Sequence, residues 1–215
     1  MTPAMIVYLV LLVAAIVAYG LALRSGKPYI RVLFLYLLVV LLFTVLSLAA
    51  LRIGITNNLF LFHILTPIEY AFIGIFYTRV IADPRIKRAI RVSIPLLALC
   101  CIIFAVYIQP LTENNSYIAI LESFLLICWT LFFFREVLLF NPVTALLGYP
   151  LFWISVGMLI FFTENLVLDG ILAYLIRNTF PLARVVYRVS IVFSDIFLFS
   201  LGVGAICEMR DVHQQ

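Results

Sequence analysis

Residues Val32–Leu51 read VLFLYLLVVLLFTVLSLAAL, an uncharged run held between Arg31 and Arg52. An α-helix needs roughly 20 residues to cross the roughly 30 Å hydrocarbon core of a bilayer, and this run supplies them. A helix of this composition has no polar face to turn to water, so it reads as membrane-spanning. Working outward, six further runs of similar character follow the same reading: Ala4–Leu23, Asn58–Val80, Val92–Gln109, Tyr117–Leu139, Leu151–Leu172 and Ala183–Cys207.

The chain of 215 residues is 66% hydrophobic and only 11% charged, more apolar than any soluble core requires. Short connectors leave no room for a soluble domain, and the last run is followed only by the tail Glu208–Gln215. The predicted fold is therefore all-α: a polytopic seven-helix transmembrane bundle forming one domain over residues 1–215. The first run lacks a basic leader and ends at Leu23 and Arg24 without a small-residue cleavage site, so it is kept as a helix and not read as a secretory signal.

Orientation follows from the basic residues. Arg24, Lys27, Arg31, Arg79, Arg85, Lys87, Arg88, Arg91, Arg135 and Arg210 fall on one side of the predicted bundle, and Arg52, Arg177, Arg184 and Arg188 on the other. The positive-inside bias then places the amino terminus outside and the carboxyl terminus in the cytoplasm. Because these residues sit at helix ends, where they meet anionic headgroups, the net charge of +4 points to the lipid bilayer as partner and not to nucleic acid. Cys100, Cys101, Cys128 and Cys207 lie within or at the end of apolar runs without metal or redox spacing and read as small buried hydrophobes.

Prolines 28, 84, 110, 142, 150 and 181 fall where connectors are expected. Pro67 instead lies inside the third run. There it removes the hydrogen bond to the carbonyl of His63 and bends the helix, a break tolerated in membranes only where neighbours or cavity water satisfy the freed group. The segment from His63 to Tyr70 thus reads as bent and polar-lined.

Five acidic residues, Glu69, Glu122, Glu164, Asp169 and Asp195, lie inside or at the rim of the apolar runs. A charge at bilayer depth is costly unless protonated, paired or facing water, so each is a functional-site candidate. With a rise of about 1.5 Å per residue, Glu69 falls about 16 Å and Asp195 about 18 Å below the outer edge, and the others fall nearer to it. They converge on the outer half. If helices three, five, six and seven adjoin, they enclose one outward-facing polar cavity, with His63, Glu69, Tyr70, Glu122, Trp153, Glu164, Asn165, Arg188 and Asp195 as candidate ligand-binding residues. On helix seven, Arg184, Arg188, Ile191, Asp195, Phe199 and Gly202 form one stripe with Tyr187, Ser190 and Ser194 beside it; on helix five, Asn115, Glu122, Trp129 and Glu136 share a face; on helix six, Trp153, Gly157, Ile160 and Glu164 do so, with Asn165 and Asp169 on the next. A structural ion pair of Arg188 with Glu164 or Asp195 would give the same pattern. Gly202 and Gly204 read as points of close helix packing.

Defined chemical motifs are absent. With His63 the only intramembrane histidine, a three-histidine zinc site cannot be assembled, and no metal or cofactor is expected. Helix seven carries no lysine for a retinal Schiff base, and no phosphate loop, nucleophile elbow or Cys–His pair occurs.

The segments Asn57-Asn58-Leu-Phe-Leu-Phe-His63, Pro67-Ile-Glu69-Tyr70, Glu122-Ser123 and Pro150-Leu-Phe152-Trp153-Ile-Ser-Val-Gly157-Met-Leu-Ile-Phe-Phe resemble a group of uncharacterised seven-helix integral membrane proteins of Bacteroidetes. The likeness runs from helix three through helix six and departs at Thr163-Glu164-Asn165, where the group carries Ser-Gly-Asn. It implies a multi-pass protein of the bacterial inner membrane. Similar segments resemble sensor modules associated with histidine kinases, which favours signalling.

Three functional expectations remain. A receptor-like sensor would bind a small molecule or lipid in the cavity and act through a signalling partner protein such as a histidine kinase. A small-solute transporter of three helices, a linker helix and three more would place Glu69 and Asp195 at equivalent depths. An intramembrane lipid hydrolase would use the same two carboxyls as an acid and base pair.

Overall fold

The computed structural model describes residues 3–55, 57–140 and 146–214, without the side chains at 140, 169, 172–174, 176–178, 180, 181, 183, 184 and 211–214. Seven helices account for nearly all of it: α1 (Pro3–Ala22), α2 (Pro28–Arg52), α3 (Phe60–Val80), α4 (Pro84–Tyr107), α5 (Ser116–Phe140), α6 (Pro150–Asn178) and α7 (Phe180–Gln214). No strand occurs among the described residues. Each helix contains a stretch long and apolar enough to cross a membrane, so the chain is a multi-pass membrane protein. In hydrocarbon every backbone polar group needs a partner within the chain, a condition the helix meets by itself.

The helix ends follow local chemistry. Pro28, Pro84 and Pro150 each open a helix, where a missing N–H costs nothing. At α4, the Asp83 carboxylate accepts the backbone N–H of Arg85 at 2.7 Å, so the helix begins well before the expected Val92. The basic run Arg85–Arg91 is therefore helical, its first turns carrying the charges that the sequence reading assigned to a connector. The expected tail from Glu208 is likewise part of α7, and the α6–α7 connection narrows to Thr179. Pro67 lies within α3 as expected; Pro95, which the sequence reading passed over, lies within α4 with its ring exposed. Pro142 falls outside the described residues.

Each helix packs on its neighbour in sequence, and α1 also packs on α7 and α3 on α5. This closes α1, α2, α3, α5, α6 and α7 into a ring, with α4 outside it against α3 and α5. On α1 the outward stripe Ile6, Val10, Val13, Val17 and Leu21 is exposed, while Leu12, Ala15, Tyr19 and Ala22 are buried. Apolar residues thus cover both faces, and those left exposed meet lipid.

The most extensive interface, α6 against α7, depends on two glycines. A Cβ built on Gly157 would stand 2.6 Å from Cβ of Ser200, and one on Gly204 would stand 2.6 Å from Cγ1 of Ile154 and 3.2 Å from the carbonyl oxygen of Pro150. Gly204 is the close-packing residue expected from sequence. Gly202 is not, because it faces open space.

The half of the bundle near the carboxyl terminus is packed solid. Its core includes Tyr19, Leu33, Phe76, Tyr77, Phe133, Ile154 and Leu201, with Phe76 and Tyr77 edge-on at 4.9 Å and Tyr29 and Phe76 edge-on at 6.2 Å. Two polar pairs here are hydrogen-bonded, Tyr77 with Thr130 at 2.7 Å and the Glu136 carboxylate with the backbone N–H of Ala82 at 2.6 Å, whereas the Tyr19 hydroxyl and Ser155 Oγ are buried without a hydrogen bond among the described residues. Burial and the neighbouring Glu136 carboxylate raise the Tyr149 phenol above its ordinary value.

Candidate functional site

The other half of the ring is hollow. A cavity of about 750 Å³ lies between the six helices of the ring and reaches the end that carries the amino terminus. Tyr8 of α1, Tyr36, Leu37 and Val40 of α2, and Thr66 and Glu69 of α3 form one side. Ser116, Glu122 and Ser123 of α5, Phe161 and Asn165 of α6, and Tyr187, Ser190, Ser194 and Phe197 of α7 form the other. The sequence reading foresaw walls from α3, α5, α6 and α7; α1 and α2 complete the enclosure. Among the described residues α4 contributes no wall, which follows from its place outside the ring.

Its rim is the α4–α5 connector. Asn57 donates its side-chain amide to the carbonyl of Thr112 at 2.9 Å, His63 Nε2 lies 3.0 Å from the carbonyl of Glu113, and Gln109 accepts the backbone N–H of Tyr117 at 3.2 Å. Below it, buried Asn115 donates to Oγ of Thr66 at 2.7 Å and to the carbonyl of Phe62 at 3.3 Å, while Thr66 itself donates to that carbonyl at 2.9 Å. These bonds gather one turn before Pro67, where a missing N–H weakens the helix ladder. The turn before Pro67 is thereby cross-linked to the start of α5.

Deeper in, the Tyr36 hydroxyl donates to Oε1 of Glu69 at 2.6 Å, a charge-assisted geometry that orients the carboxylate at the wall. Glu122 is only 4% exposed and also lines the cavity. Tyr8 and Tyr36 line the same cavity as Glu69 and Glu122. Phe161 and Phe197 stack at 4.8 Å with an angle of 11°, closing one flank with aromatic faces.

The nine residues singled out from sequence are distributed as follows. Glu69, Glu122 and Asn165 line the cavity together. Glu164 is buried beside it: Ser190, a wall residue, donates to its Oε1 at 2.6 Å, and the carboxylate also borders a shallow apolar groove between α6 and α7. Asp195 is half-buried, with Oδ1 enclosed and without a hydrogen bond. His63 sits at the rim. Tyr70 is buried away from the cavity, accepting the Trp129 indole N–H at 3.0 Å and bonded to Ser93 at 2.6 Å. Trp153 lies near the opposite end, donating to the carbonyl of Leu147 at 2.8 Å, and Arg188 is exposed. The side chain of Asp169 lies outside the described residues.

The face of α7 turned inward is not the predicted stripe itself but the side flanking it, with Tyr187, Ser190 and Ser194 at the cavity. Phe199 and Arg188 of that stripe are exposed, whereas Ser190, Ser194, Phe197, Leu201 and Glu208 face the ring. Serine hydroxyls can enter a crowded bundle by bonding to a neighbouring carbonyl, as Ser194 does to Ser190 at 3.0 Å. The α5 face fared better: Asn115, Glu122 and Trp129 are all buried.

The sequence reading missed one cluster altogether. At the carboxyl-terminal end, Glu208 is fully buried; its Oε2 accepts from Nζ of Lys27 at 3.0 Å and from the Tyr29 hydroxyl at 2.5 Å, while its Oε1 lies 2.9 Å from the same ammonium as an ion pair. This is the only ion pair among the described residues; the alternative of Arg188 paired with Glu164 or Asp195 is not seen, Glu164 accepting from Ser190 instead. Its sequence signal was weak, because Lys27 and Glu208 lie 181 positions apart and both read as connector residues.

Comparison with protein-family models, curated proteins and solved structures finds no match to this chain.

Proposed function

We propose that this chain is a receptor-like sensor of the bacterial inner membrane that binds a small ligand in the cavity and passes the event to a partner protein. The observation that carries this reading is the division of the ring: a polar cavity of about 750 Å³ at one end, and a solid aromatic core at the other. A cavity of that size is typical of small-molecule sites. The basic-residue bias orients it toward the outside, with the amino terminus external and the carboxyl terminus cytoplasmic. α7 contributes Ser190 and Ser194 to the cavity and Glu208 to the far end, so a ligand that prefers one position of α7 shifts both. The likeness to kinase-associated sensor modules supports a kinase-type partner. Site-specific fluorophores at the ends of α5 and α7 near the carboxyl terminus test the reading: a bound ligand changes their accessibility while remaining chemically unaltered and on the same side of the membrane. Ligand consumption or passage across liposomes would reject it.

Transport is the second reading, favoured by one observation. Mapping α1, α2 and α3 onto α5, α6 and α7 carries the α1–α7 contact onto α5–α3, and every other contact of the ring onto another. That is the pattern expected of two parallel three-helix repeats joined by a linker helix. Uptake of a solute into liposomes, abolished by Glu69→Gln, would establish it.

A further inference from the structure

We infer that the ligand of this cavity is a water-soluble organic cation, an ammonium group carried on an apolar or aromatic body. The inference rests on the reading of the cavity as a ligand site and names the chemistry it accepts. Glu69 and Glu122 line the interior, where no lysine, arginine or histidine is among the described wall residues; at the rim His63 Nε2 lies 3.0 Å from the carbonyl of Glu113. A carboxylate wall in a low-dielectric enclosure attracts positive charge and rejects anions. Ser123, 2% exposed, lies on the same wall and adds a hydroxyl to it.

The rest of the wall selects an organic cation. Tyr36, Tyr187, Phe161 and Phe197 all line this wall, and aromatic side chains are the partners that hold organic ammonium groups. A volume of about 750 Å³ far exceeds a bare ion, and no group of metal-ligating side chains occurs among the described residues. The polar connector at the rim, with Thr112, Glu113 and Asn114, gives entry from solution.

The test uses the full chain in phosphatidylglycerol nanodiscs, titrated calorimetrically with benzylamine and with benzyl alcohol and benzoate as neutral and anionic analogues. Benzylamine should bind about tenfold or more tightly than benzyl alcohol, and benzoate should not bind. Glu69→Gln and Glu122→Gln should each weaken benzylamine about tenfold while leaving benzyl alcohol unchanged, which also reports that the variants are folded. Ser123→Ala gives a milder perturbation of the same wall, with an expected loss of about threefold. Equal binding of benzyl alcohol and benzylamine would overturn the cation assignment and leave the cavity reading standing. Failure of all three compounds would overturn both. Displacement of benzylamine by phosphatidylethanolamine added to the nanodisc would assign the ammonium to a lipid headgroup and overturn the water-soluble source.

Discussion

Replacing Lys27 by methionine tests the buried ion pair at the carboxyl-terminal end. Glu208 is fully enclosed, and Lys27 supplies the only contact to its Oε1, at 2.9 Å; Oε2 keeps the Tyr29 hydroxyl at 2.5 Å. Removing one partner of a fully buried pair typically costs about 3–5 kcal/mol. Lys27 itself retains 40% exposure, so water and the Tyr29 bond offset part of that. A loss of about 2–3 kcal/mol is expected for Lys27→Met. Glu208→Gln removes the charge along with its partner's purpose and keeps an acceptor for Tyr29, so about 1–2 kcal/mol is expected. The double variant should cost less than the sum by about 1–2 kcal/mol, because each single change already forfeits the same attraction. Equilibrium unfolding in mixed micelles, followed by tryptophan fluorescence, measures all three. Single costs that add within about 0.5 kcal/mol, or a neutral Lys27→Met, would refute the reasoning.

Gly157→Ala should destabilise the bundle by about 1–3 kcal/mol through overpacking against Ser200, while Gly202→Ala, facing open space, should stay within about 0.5 kcal/mol of the parent in the same unfolding assay. Asn115→Ala removes both bonds to the α3 bend and should cost about 1–2 kcal/mol, with faster amide exchange at Phe62–Thr66 than in the parent. In a variant cleared of native cysteines, an impermeant thiol reagent applied outside should modify a cysteine at Asn114 and spare one at Arg88; the reverse result would invert the proposed topology.

The sequence disclosed the helices far better than their arrangement. Runs such as Val32–Leu51 define spans because hydrocarbon length is a one-dimensional constraint, readable from composition alone. Boundaries at α4 and α7 were harder, since basic and acidic residues at a membrane surface remain helical where a polarity criterion ends the span. Placement on the inner or outer face was harder still. On a soluble helix, polarity marks the outside; here lipid accepts Phe199 as readily as the ring accepts Phe197, so apolar residues carry no facing signal. Polar residues do, which is why Glu69 and Glu122 are legible as wall residues and Tyr36, the partner of Glu69 set in an otherwise unbroken apolar run, is not.

The same physics explains why two distant acidic residues play different parts. Glu208 meets an ammonium held by a neighbouring connector, and its two oxygens are engaged by Lys27 and Tyr29. Such a pair is well suited to fixing register, because sliding α7 by one turn would strand a buried carboxylate. Glu69 receives one hydroxyl and opens on a cavity, where no protein cation faces it among the described wall residues. A ligand that supplies positive charge there gains what the fold withholds. α7 both borders that cavity and carries Glu208, so under the proposed sensor reading a ligand that shifts α7 bears on the Lys27–Glu208 contact. Weakening that contact by Lys27→Met should therefore alter ligand affinity at the opposite end of the bundle, and unchanged affinity would show the two ends to be independent.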